Sequence, residues 1–327
     1  MKCRVCREPA VIDLRRHNAN FCTDHFLRHC RQQVERVIKD FDMVRTDHRI
    51  LVAVSGGKDS LALWDLLNEL GYQVDGLYIG LGIDQYSDSS YRFVQEFVEQ
   101  RSLHLIVVDL AETHGFGVST ASATTRRVPC SACGLSKRHV FDKAAVDGGY
   151  DAVVTGHNLD DEAAVLYGNV LRWQVGYLGR QRPVLEARAG FPRKVKPLIR
   201  LTERETAAYC VLRGIEYQVE ECPMADGNRH LGFKEALNRL EEQSPGSKAE
   251  FYFGYLKRAI DRFEEPDDRD QLGPCSACGA PTDADVCAFC RLVLQATGTS
   301  ISDRRPVALV SKPDIPASTG GPGSGHE

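Results

Sequence analysis

The chain has 327 residues, of which 43% are hydrophobic and 26% charged, and its formal net charge is −4. This length suffices for one α/β domain of ordinary size with small appendages, and no run reaches the roughly 18–20 apolar residues that a membrane span needs. The negative net charge excludes bulk electrostatic attraction to nucleic acid, so a polyanionic partner would have to meet a local basic patch.

The first 30 residues are rich in cysteine and histidine. They hold two ligand pairs separated by a short hairpin, a pattern typical of tetrahedral Zn²⁺. A segment this short cannot bury enough apolar surface to fold alone, so the metal would supply the folding free energy. We predict a structural zinc knuckle over residues 1–30, with His29 and Cys30 as rival fourth ligands. The predicted ligands are Cys3, Cys6, Cys22 and His25.

Cysteine usage also bears on the cellular compartment. The chain contains 12 cysteines, and its N-terminus carries no apolar signal core. Cysteines in such a chain favour metal binding or catalysis over disulfides. We therefore predict a cytoplasmic protein with no membrane partner.

A glycine turn near residue 56 carries the strongest chemical signal. A β-branched apolar run at 50–54 stops at Ser-Gly-Gly, and a helical pattern follows at once, which predicts a buried strand that feeds a helix N-terminus. Glycines let the backbone approach an anion, and the free N–H groups of the helix start supply donors. The spacing differs from that of a Walker A loop. The predicted phosphate or pyrophosphate site comprises Ser55, Gly56, Gly57, Lys58, Asp59 and Ser60.

Residues 31–265 alternate between strand-like and helix-like segments. This repetition predicts an α/β domain whose parallel sheet is covered by helices on both faces, with ligands at the carboxyl ends of the strands. The predicted strands after the glycine turn are 74–79, 103–110 and 151–155. The predicted helices are 88–101, 131–145 and 160–171.

A second set of cysteines lies inside this domain. Pro129 precedes a helix start, and Cys130 and Cys133 share one face of that helix. The positive helix end and the flanking cations Arg126, Arg127, Lys137 and Arg138 are expected to lower the pKa of both thiols. Cys222 follows on a loop before a helix that begins near residue 232.

Three chemistries fit a CxxC pair with a distant cysteine. A third zinc would need a fourth protein ligand, and none is evident. A catalytic disulfide or persulfide is a second option, and a [4Fe–4S] cluster with one iron free of protein ligands is the third. Cys30 and Cys210 lie in helical patterns and are expected to be buried as small apolar residues.

The segment 172–204 is strongly basic. It has nine cations against two carboxylates, which predicts a phosphate-binding patch for RNA, although a solvated loop gives the same count. Trp173, Tyr177 and Phe191 are interleaved and could stack on a base. The cations are Arg172, Arg180, Arg182, Arg188, Arg193, Lys194, Lys196, Arg200 and Arg204.

The C-terminal part begins after an acidic linker at 264–270. Two CxxC pairs with a short hairpin predict a second structural zinc knuckle over residues 271–300. Its predicted ligands are Cys275, Cys278, Cys287 and Cys290. The Gly, Pro and Ser-rich tail at 305–327 is predicted to be disordered.

Taken together, these motifs resemble one family. The turn at 55–60 is similar to the SGGxDS loop of the PP-loop ATP pyrophosphatases, and both cysteine knuckles, the segments 129–138 and 155–162, and Glu221-Cys222-Pro223 resemble the TtuA-type tRNA 2-thiouridine synthesising enzymes. The resemblance implies an adenine nucleotide alpha hydrolase-like fold flanked by N- and C-terminal zinc knuckles. It covers nearly all of the chain except the last twenty or so residues.

The resemblance also implies cofactors and partners. It places a [4Fe–4S] cluster on Cys130, Cys133 and Cys222, and implies two structural Zn²⁺ ions and ATP with Mg²⁺. The sulfur would come from a ubiquitin-like carrier protein with a C-terminal thiocarboxylate. The substrate would be tRNA, modified at the C2 position of the T-loop 5-methyluridine 54, and a homodimer is implied.

Roles for single residues follow from the same resemblance. Transfer of AMP to the C2 oxygen would make that oxygen a good leaving group for replacement by sulfur. Lys137 would neutralise charge at the α-phosphate, and Asp59 and Asp161 would bind Mg²⁺ or orient the phosphates. From the sequence alone, Asp161 could instead be a carboxylate that stabilises the helix N-terminus, and Lys137 could be a solvated helix residue. Asp160 and Glu162 are expected to be surface acids. Further nucleotide-pocket residues are Ala53, Val54, Ile79 and Gly156.

Several alternatives remain open at this stage. The same chemistry could act on wobble uridine 34 or on a tRNA cytidine, and a cysteine persulfide could replace the cluster. A PP-loop enzyme that adds nitrogen, as lysidine-forming enzymes do, works without a cysteine triad, so Cys130, Cys133 and Cys222 argue against this alternative. The intact Ser-Gly-Gly-Lys-Asp-Ser turn argues against a non-catalytic zinc protein that binds RNA.

Overall fold

The computed structural model describes residues 1–225, 229–263, 272–303 and 310–311. The strands are β1 Ile12–Leu14, β2 Ala19–Phe21, β3 Arg49–Val54, β4 Gln73–Gly80, β5 Leu105–Asp109, β6 Ala152–Thr155, β7 Val184–Leu185, β8 Arg193–Val195, β9 Gly273–Pro274, β10 Pro281–Thr282 and β11 Val310–Ser311. The helices are α1 Thr23–Asp40, α2 Lys58–Glu69, α3 Asp84–Arg101, α4 Leu110–His114, α5 Val118–Thr125, α6 Pro129–Asp147, α7 Leu159–Leu171, α8 Val175–Leu178, α9 Glu203–Arg213, α10 Arg229–Gln243, α11 Ser247–Arg258 and α12 Ala288–Thr297.

One sheet organises the central domain. Its strands follow the order β11-β5-β4-β3-β6-β8-β7. Neighbours from β5 to β8 pair in parallel, whereas β7 and β11 pair antiparallel at the two edges. The chain moves outward from β3 to β4 and β5, then returns to place β6 on the other side of β3. The strand order therefore reverses between β3 and β6, which is the point at which α/β sheets place a ligand-binding crevice at the carboxyl ends of their strands.

The two faces of the sheet bury separate hydrophobic cores. Ile50 and Val52 of β3 pack in the core that contains Trp64 of α2, whereas Leu51 packs in the core that contains Val153 of β6 and residues of α6 and α12. Consecutive residues of a strand point to opposite faces, so β3, which is apolar from Ile50 to Val54, needs cover on both sides. The prediction of a parallel sheet with helices on both faces is confirmed.

The ends of the predicted segments shift by a few residues for local reasons. The predicted strand 103–110 shortens to β5, because Ser102 adopts a left-handed conformation that ends α3 and Leu103 still donates to the carbonyl of Val98. At its other end Asp109 caps α4 through its side chain, so Leu110 is already helical. The predicted helix 88–101 begins four residues earlier, at Asp84.

Other predictions concern segments at the C-terminal end. The acidic linker at 264–270 lies outside the described residues. The predicted disordered tail lies outside them too, except for Val310–Ser311, which pairs with β5. None of the described helices is long and apolar enough to cross a membrane.

Asp65 on α2 is expected to be the most sensitive structural position in the central domain. Its side chain is 2% exposed and accepts hydrogen bonds from Arg101 and Arg213, both at 2.8 Å, and from Tyr209 at 2.7 Å. Because Asp65→Ala leaves these donors buried without a carboxylate, we expect it to lower the free energy of unfolding by about 3–5 kcal/mol. Urea denaturation of metal-loaded protein measures this change. Glu96→Ala, which breaks an exposed pair with Arg92, should leave the midpoint unchanged.

Candidate nucleotide and cluster site

The turn after β3 is shaped to expose backbone donors. Gly56 has a φ of +78°, and a Cβ there would lie 2.5 Å from the carbonyl oxygen of Ser90, so only glycine fits. The Ser60 hydroxyl accepts from the N–H of Ser55 at 3.2 Å and donates to the carbonyl of Gly57 at 2.9 Å, which holds the turn closed. Gly57 caps α2 without a side-chain hydrogen bond. The first N–H groups of α2 therefore remain available to an anion.

The loop after β6 packs directly on this turn. A Cβ on Gly156 would lie 2.9 Å from the carbonyl carbon of Asp59 and from the nitrogen of Ser60. Asn158, the cap of α7, donates through its side-chain amide to Asp59 at 3.0 Å. The predicted residues Gly156 and Asp59 thus meet across the point where the strand order reverses.

Two partly buried carboxylates, Asp59 and Asp161, lie at this edge of the sheet, with side chains 22% and 24% exposed. Asp59 accepts from the Thr206 hydroxyl at 2.5 Å and pairs with Lys58 at 3.1 Å. Burial raises the pKa of Asp59, although Lys58 opposes the shift. Burial alone would raise the pKa of Asp161 as well, but the adjacent Lys234 lowers it below its usual value. Asp161 is therefore held as a carboxylate.

Lys234 and Glu203 belong to the site and were missed in the sequence. The ammonium of Lys234, on α10, lies 2.6 Å from Asp161 and 2.8 Å from Glu203, and Lys58 lies 3.5 Å from Glu203. Asp161 and Glu203 raise the pKa of Lys234 despite its burial, so it stays charged. No local motif marks either residue, because the fold alone brings α10 and α9 to this edge.

The side chains of two predicted pocket residues point elsewhere. Val54 and Ile79 are 3% and 4% exposed and pack in the two opposite cores. They can line a nucleotide pocket only through their backbone. Ala53, by contrast, is half-buried at the end of β3 beside Thr155 of β6.

The three predicted cluster cysteines converge near this crevice. Pro129 is at the first position of α6, which places Cys130 and Cys133 in its first turns, and the Cys130 thiol lies 3.6 Å from the carbonyl oxygen of Met224. Cys133 and Cys222 pack in the same core with Tyr86. Burial raises the pKa of Cys133, and the charges of Cys222 and Cys130 add to that shift, so the thiols are neighbours.

The spacing of these thiols separates them from the zinc-type sets. Among the described residues they form no group whose ligand atoms all lie within 4.8 Å. A mononuclear zinc site requires such closeness, whereas a cubane cluster places a different iron under each thiolate. At least one separation among the three thiols is therefore wider than a mononuclear zinc site allows.

One expectation about these cysteines is wrong. The helix N-terminus and nearby cations were expected to lower both thiol pKa values. For Cys133 burial is the largest effect and raises the pKa. Lys137, which lies one turn further along α6, and Arg138 oppose this shift but do not cancel it. Without a bound metal, Cys133 is therefore a protonated thiol.

A single segment joins the glycine turn to the cysteines. The N–H of Gln218 donates to the carbonyl of Gly56 at 2.9 Å, and its side-chain amide donates to the carbonyl of Tyr86 at 3.2 Å. Four residues later this segment reaches Cys222. The pKa of Tyr86 is raised mainly by burial and further by the nearby charges of Cys222 and Cys133.

Both terminal knuckles gather their ligands as the spacing predicts. In the second, Cys275 and Cys290 lie 3.8 Å apart, as do Cys278 and Cys287. A Zn–S bond of about 2.3 Å gives a tetrahedral edge of about 3.8 Å, so this set fits zinc. In the first, the Cys6 and Cys22 sulfurs are 3.6 Å apart, and Cys22 is 3.1 Å from Nδ1 of His25. The rival ligands turn away: Cys30 is buried in the core, and His29 joins another cluster.

Comparisons with known proteins identify the family of this chain. A profile described as "2-thiouridine synthetase TtuA, N-terminal LIM domain" matches residues 2–27, and a PP-loop domain profile matches residues 26–226. Proteins named tRNA-5-methyluridine(54) 2-sulfurtransferase are similar at 48% identity in Thermus thermophilus and 42% in Pyrococcus horikoshii. Each alignment covers 89% of this chain, and 91% and 93% of those proteins.

The chain belongs to the TtuA family of PP-loop proteins. A solved structure described as the U34-tRNA thiolase NcsA from Methanococcus maripaludis with its [4Fe–4S] cluster shares this fold, with a TM-score of 0.76 and 24% identity. The match covers 89% of this chain and 95% of that one.

The basic segment of this TtuA-family chain is less exposed than its composition predicts. At least five of the nine cations pair with carboxylates, and Lys196 reaches the buried Glu162 at 2.8 Å. The exposed aromatics are Trp173 and Tyr177, at 70% and 65% exposure, whereas Phe191 is half-buried. The other four ion pairs are Arg182–Asp261, Arg193–Glu186, Lys194–Asp142 and Arg200–Asp40.

Asp160 and Glu162 are not the surface acids that their positions suggest. They are 4% and 2% exposed. Asp160 binds the buried ammonium of Lys248 and accepts from the N–H of Glu203 at 2.9 Å. Glu162 binds Lys196 and accepts from Tyr252 at 3.3 Å. In this TtuA-family chain both residues tie α7 to α9 and α11 and so hold Asp161 between them in place.

Proposed function

We propose that the protein is an ATP-dependent tRNA sulfurtransferase that converts 5-methyluridine 54 of the T-loop to its 2-thio form. The observation that carries the proposal is the contact of Gln218 with both Gly56 and Tyr86, which joins an anion-binding turn to three converging cysteines. An activating site and a sulfur-delivering site would then share one crevice. The 48% identity to a named enzyme of this activity supports the choice of base.

The residues of the crevice would first activate the uridine. The turn at 55–60 would hold the pyrophosphate half of ATP through its N–H groups. Asp59 and Asp161, each paired with one lysine, would hold Mg²⁺, because this ion prefers carboxylate oxygen ligands. Lys137 would lie toward the α-phosphate and favour its charge in the transition state. Transfer of AMP to the C2 oxygen, with release of pyrophosphate, would make that oxygen a good leaving group.

The cysteine side would supply the sulfur. A [4Fe–4S] cluster held by Cys130, Cys133 and Cys222 would provide one iron without a protein ligand, where an external sulfur can be held. A ubiquitin-like carrier with a C-terminal thiocarboxylate would be the donor. The half-buried Tyr86 and the Met224 segment would limit water around Cys133 and Cys222, although Cys130 is exposed, and exclusion of water favours attack by sulfur over hydrolysis.

The tRNA would approach along the surface of α7 and α8. Trp173 and Tyr177 expose aromatic rings suited to stacking on an unpaired base, and Arg180 lies beside them. We also propose that the enzyme works as a homodimer.

The direct test is nucleoside mass spectrometry. Unmodified tRNA would be incubated without oxygen with the enzyme, ATP, Mg²⁺ and a sulfide source, then digested and mapped by fragment. We expect 2-thio-5-methyluridine at position 54, together with pyrophosphate release. Thiolation at position 34 or of a cytidine would assign the enzyme to a different substrate, and pyrophosphate release without thiolation would contradict the sulfur step.

Lys234 is expected to contribute to nucleotide use. Lys234→Met removes a partly buried cation between Asp161 and Glu203 and would leave two carboxylates facing the phosphates. We expect kcat/KM for ATP to fall at least about tenfold, measured by tRNA-dependent pyrophosphate release. Lys143→Met, on the exposed side of α6, is the matched control and should retain full activity. Equal activity of the two variants would remove Lys234 from the site.

A further inference from the structure

A cluster of two histidines and a glutamate lies beside the first knuckle, outside the proposed zinc and nucleotide sites. His17 ends a short 3₁₀ turn between β1 and β2, His29 lies on α1, and Glu205 lies in the first turn of α9. One ligand atom from each lies within 4.8 Å of the other two. We call this set the His17–His29–Glu205 cluster.

The atoms of this cluster that face one another have no hydrogen-bond partner. Nε2 of His17, Nε2 of His29 and Oε1 of Glu205 are all buried without one. The side chain of Glu205 is 1% exposed, so water from the bulk does not solvate the free oxygen. Leaving a buried carboxylate oxygen unpaired costs free energy that a bound ligand would recover.

The other oxygen of Glu205 is firmly held. Oε2 accepts from Arg16 at 2.6 Å, from the N–H of Thr202 at 2.7 Å and from the Thr202 hydroxyl at 2.8 Å. These three donors turn Oε1 toward the histidines. Carboxylates that ligate metals are commonly oriented in this way by hydrogen bonds to their second oxygen.

A direct hydrogen bond or ion pair does not explain the cluster. Nε2 of His29 and Oε1 of Glu205 are 3.9 Å apart, beyond the range of an N–H···O bond. Burial lowers the pKa of both histidines, that of His17 to about 4, so both rings are neutral at pH 7. In the tautomer with the proton on Nδ1, each neutral ring presents an Nε2 lone pair, which is the form that binds a metal ion.

We propose that His17, His29 and Glu205 bind a third divalent metal ion of the zinc class, with water as a further ligand. Bonds of about 2.0–2.2 Å give a tetrahedral edge of about 3.3–3.6 Å, so the 3.9 Å separation would shorten by a few tenths of an ångström when an ion binds. Two imidazoles and a carboxylate are a donor set that zinc accepts. Two guanidinium groups lie nearby: Arg16 pairs with Glu205 and Arg200 with Asp40 through their NH2 groups, whereas the Nε atoms of both are buried without a partner.

The position of this ion gives it a structural consequence. It would join the knuckle, α1 and the start of α9. The residue after Glu205 is Thr206, which donates to Asp59, and two residues before Glu205 is Glu203, which pairs with Lys58 and Lys234. The ion would therefore fix the helix end that lines the nucleotide site. This inference goes beyond the proposed function and does not depend on it.

Zinc counting on the full-length protein tests the proposal. Protein loaded with Zn²⁺ and passed through metal-free buffer would be analysed for zinc and iron by mass spectrometry. We expect three zinc atoms per chain in the wild type and two in His17→Gln and His29→Gln, and Glu205→Gln should weaken the third site at least tenfold. His48→Gln, in a turn outside the cluster, is the control and should retain three. The two remaining zincs show that both knuckles are folded.

A second measurement needs no variant. Anomalous diffraction at the zinc edge from wild-type crystals grown with Zn²⁺ should give a peak between the three side chains, separate from both knuckles. With Co²⁺ as the probe, the site should add a weak visible band without the intense charge-transfer band of thiolate ligands. A water peak without anomalous signal, or a third zinc that both histidine variants retain, would overturn the proposal.

Discussion

Asp59→Ala is expected to reduce tRNA thiolation at least about 100-fold, because it removes a carboxylate held at the centre of the crevice. Oδ1 of Asp59 accepts from the Thr206 hydroxyl and the Asn158 amide, and Oδ2 accepts from Lys58, so the carboxylate is held between α2, α7 and α9. Without it, Mg²⁺ would lose one of its proposed ligands and the β- and γ-phosphates their orientation. Nucleoside mass spectrometry and pyrophosphate release measure the two halves of the reaction.

The control for this substitution must separate chemistry from folding. Asp59→Asn keeps the shape and both hydrogen-bonding neighbours but removes the charge, so it should lose nearly as much activity as alanine. Both variants should retain two knuckle zincs and the cluster absorption. Asp88→Asn, an exposed residue of α3, should behave as wild type. Near-normal activity of Asp59→Asn would show that the carboxylate serves only to hold the loops together.

Cys222→Ala should remove or greatly weaken the broad absorption at roughly 400 nm that a [4Fe–4S] cluster gives in protein prepared without oxygen. Two thiolates on one helix would remain, and two ligands cannot hold a cubane firmly. We expect the iron content to fall toward zero and thiolation with it, while zinc stays unchanged. Pyrophosphate release should persist in part, because the nucleotide turn does not depend on Cys222.

Cys30→Ala is the matched cysteine control. Cys30 is fully buried in the core, and burial raises its thiol pKa well above the usual value, so it is neither a ligand nor a nucleophile. Its removal should lower stability slightly and leave iron and absorption intact. If oxygen-protected wild-type protein contained zinc but no iron, a cysteine persulfide would replace the cluster in the mechanism.

The two parts of the site differ in how far the sequence could predict them. The glycine turn at 55–60 is local, since strand, turn and helix follow one another within a few residues, and each has its own compositional signal. Gly156 and the cysteines were assigned by resemblance to a family. Lys234 and Glu203 carry no signal of either kind, because they reach Asp161 only through the packing of α10 and α9 on α7.

Charge was the property that sequence patterns predicted least well. The basic segment 172–204 looks like an open cationic surface, yet Lys196, Lys194 and Arg200 each meet a carboxylate from a distant element. Asp160 and Glu162 look like surface acids of a helix N-terminus and are buried instead. The cations at α6 were expected to lower the pKa of Cys133, and burial reversed the sign.

The sequence by itself determined the alternation of strands and helices, the anion-binding turn and the two zinc-type knuckles, because each depends on contacts between residues close along the chain. Tertiary structure decided which groups share the crevice, how Gln218 joins the turn to the cysteines, and that His17, His29 and Glu205 meet. Those contacts join residues that are 12 to 188 positions apart. Burial and charge pairing over such separations depend on how the elements pack, and no local pattern records them.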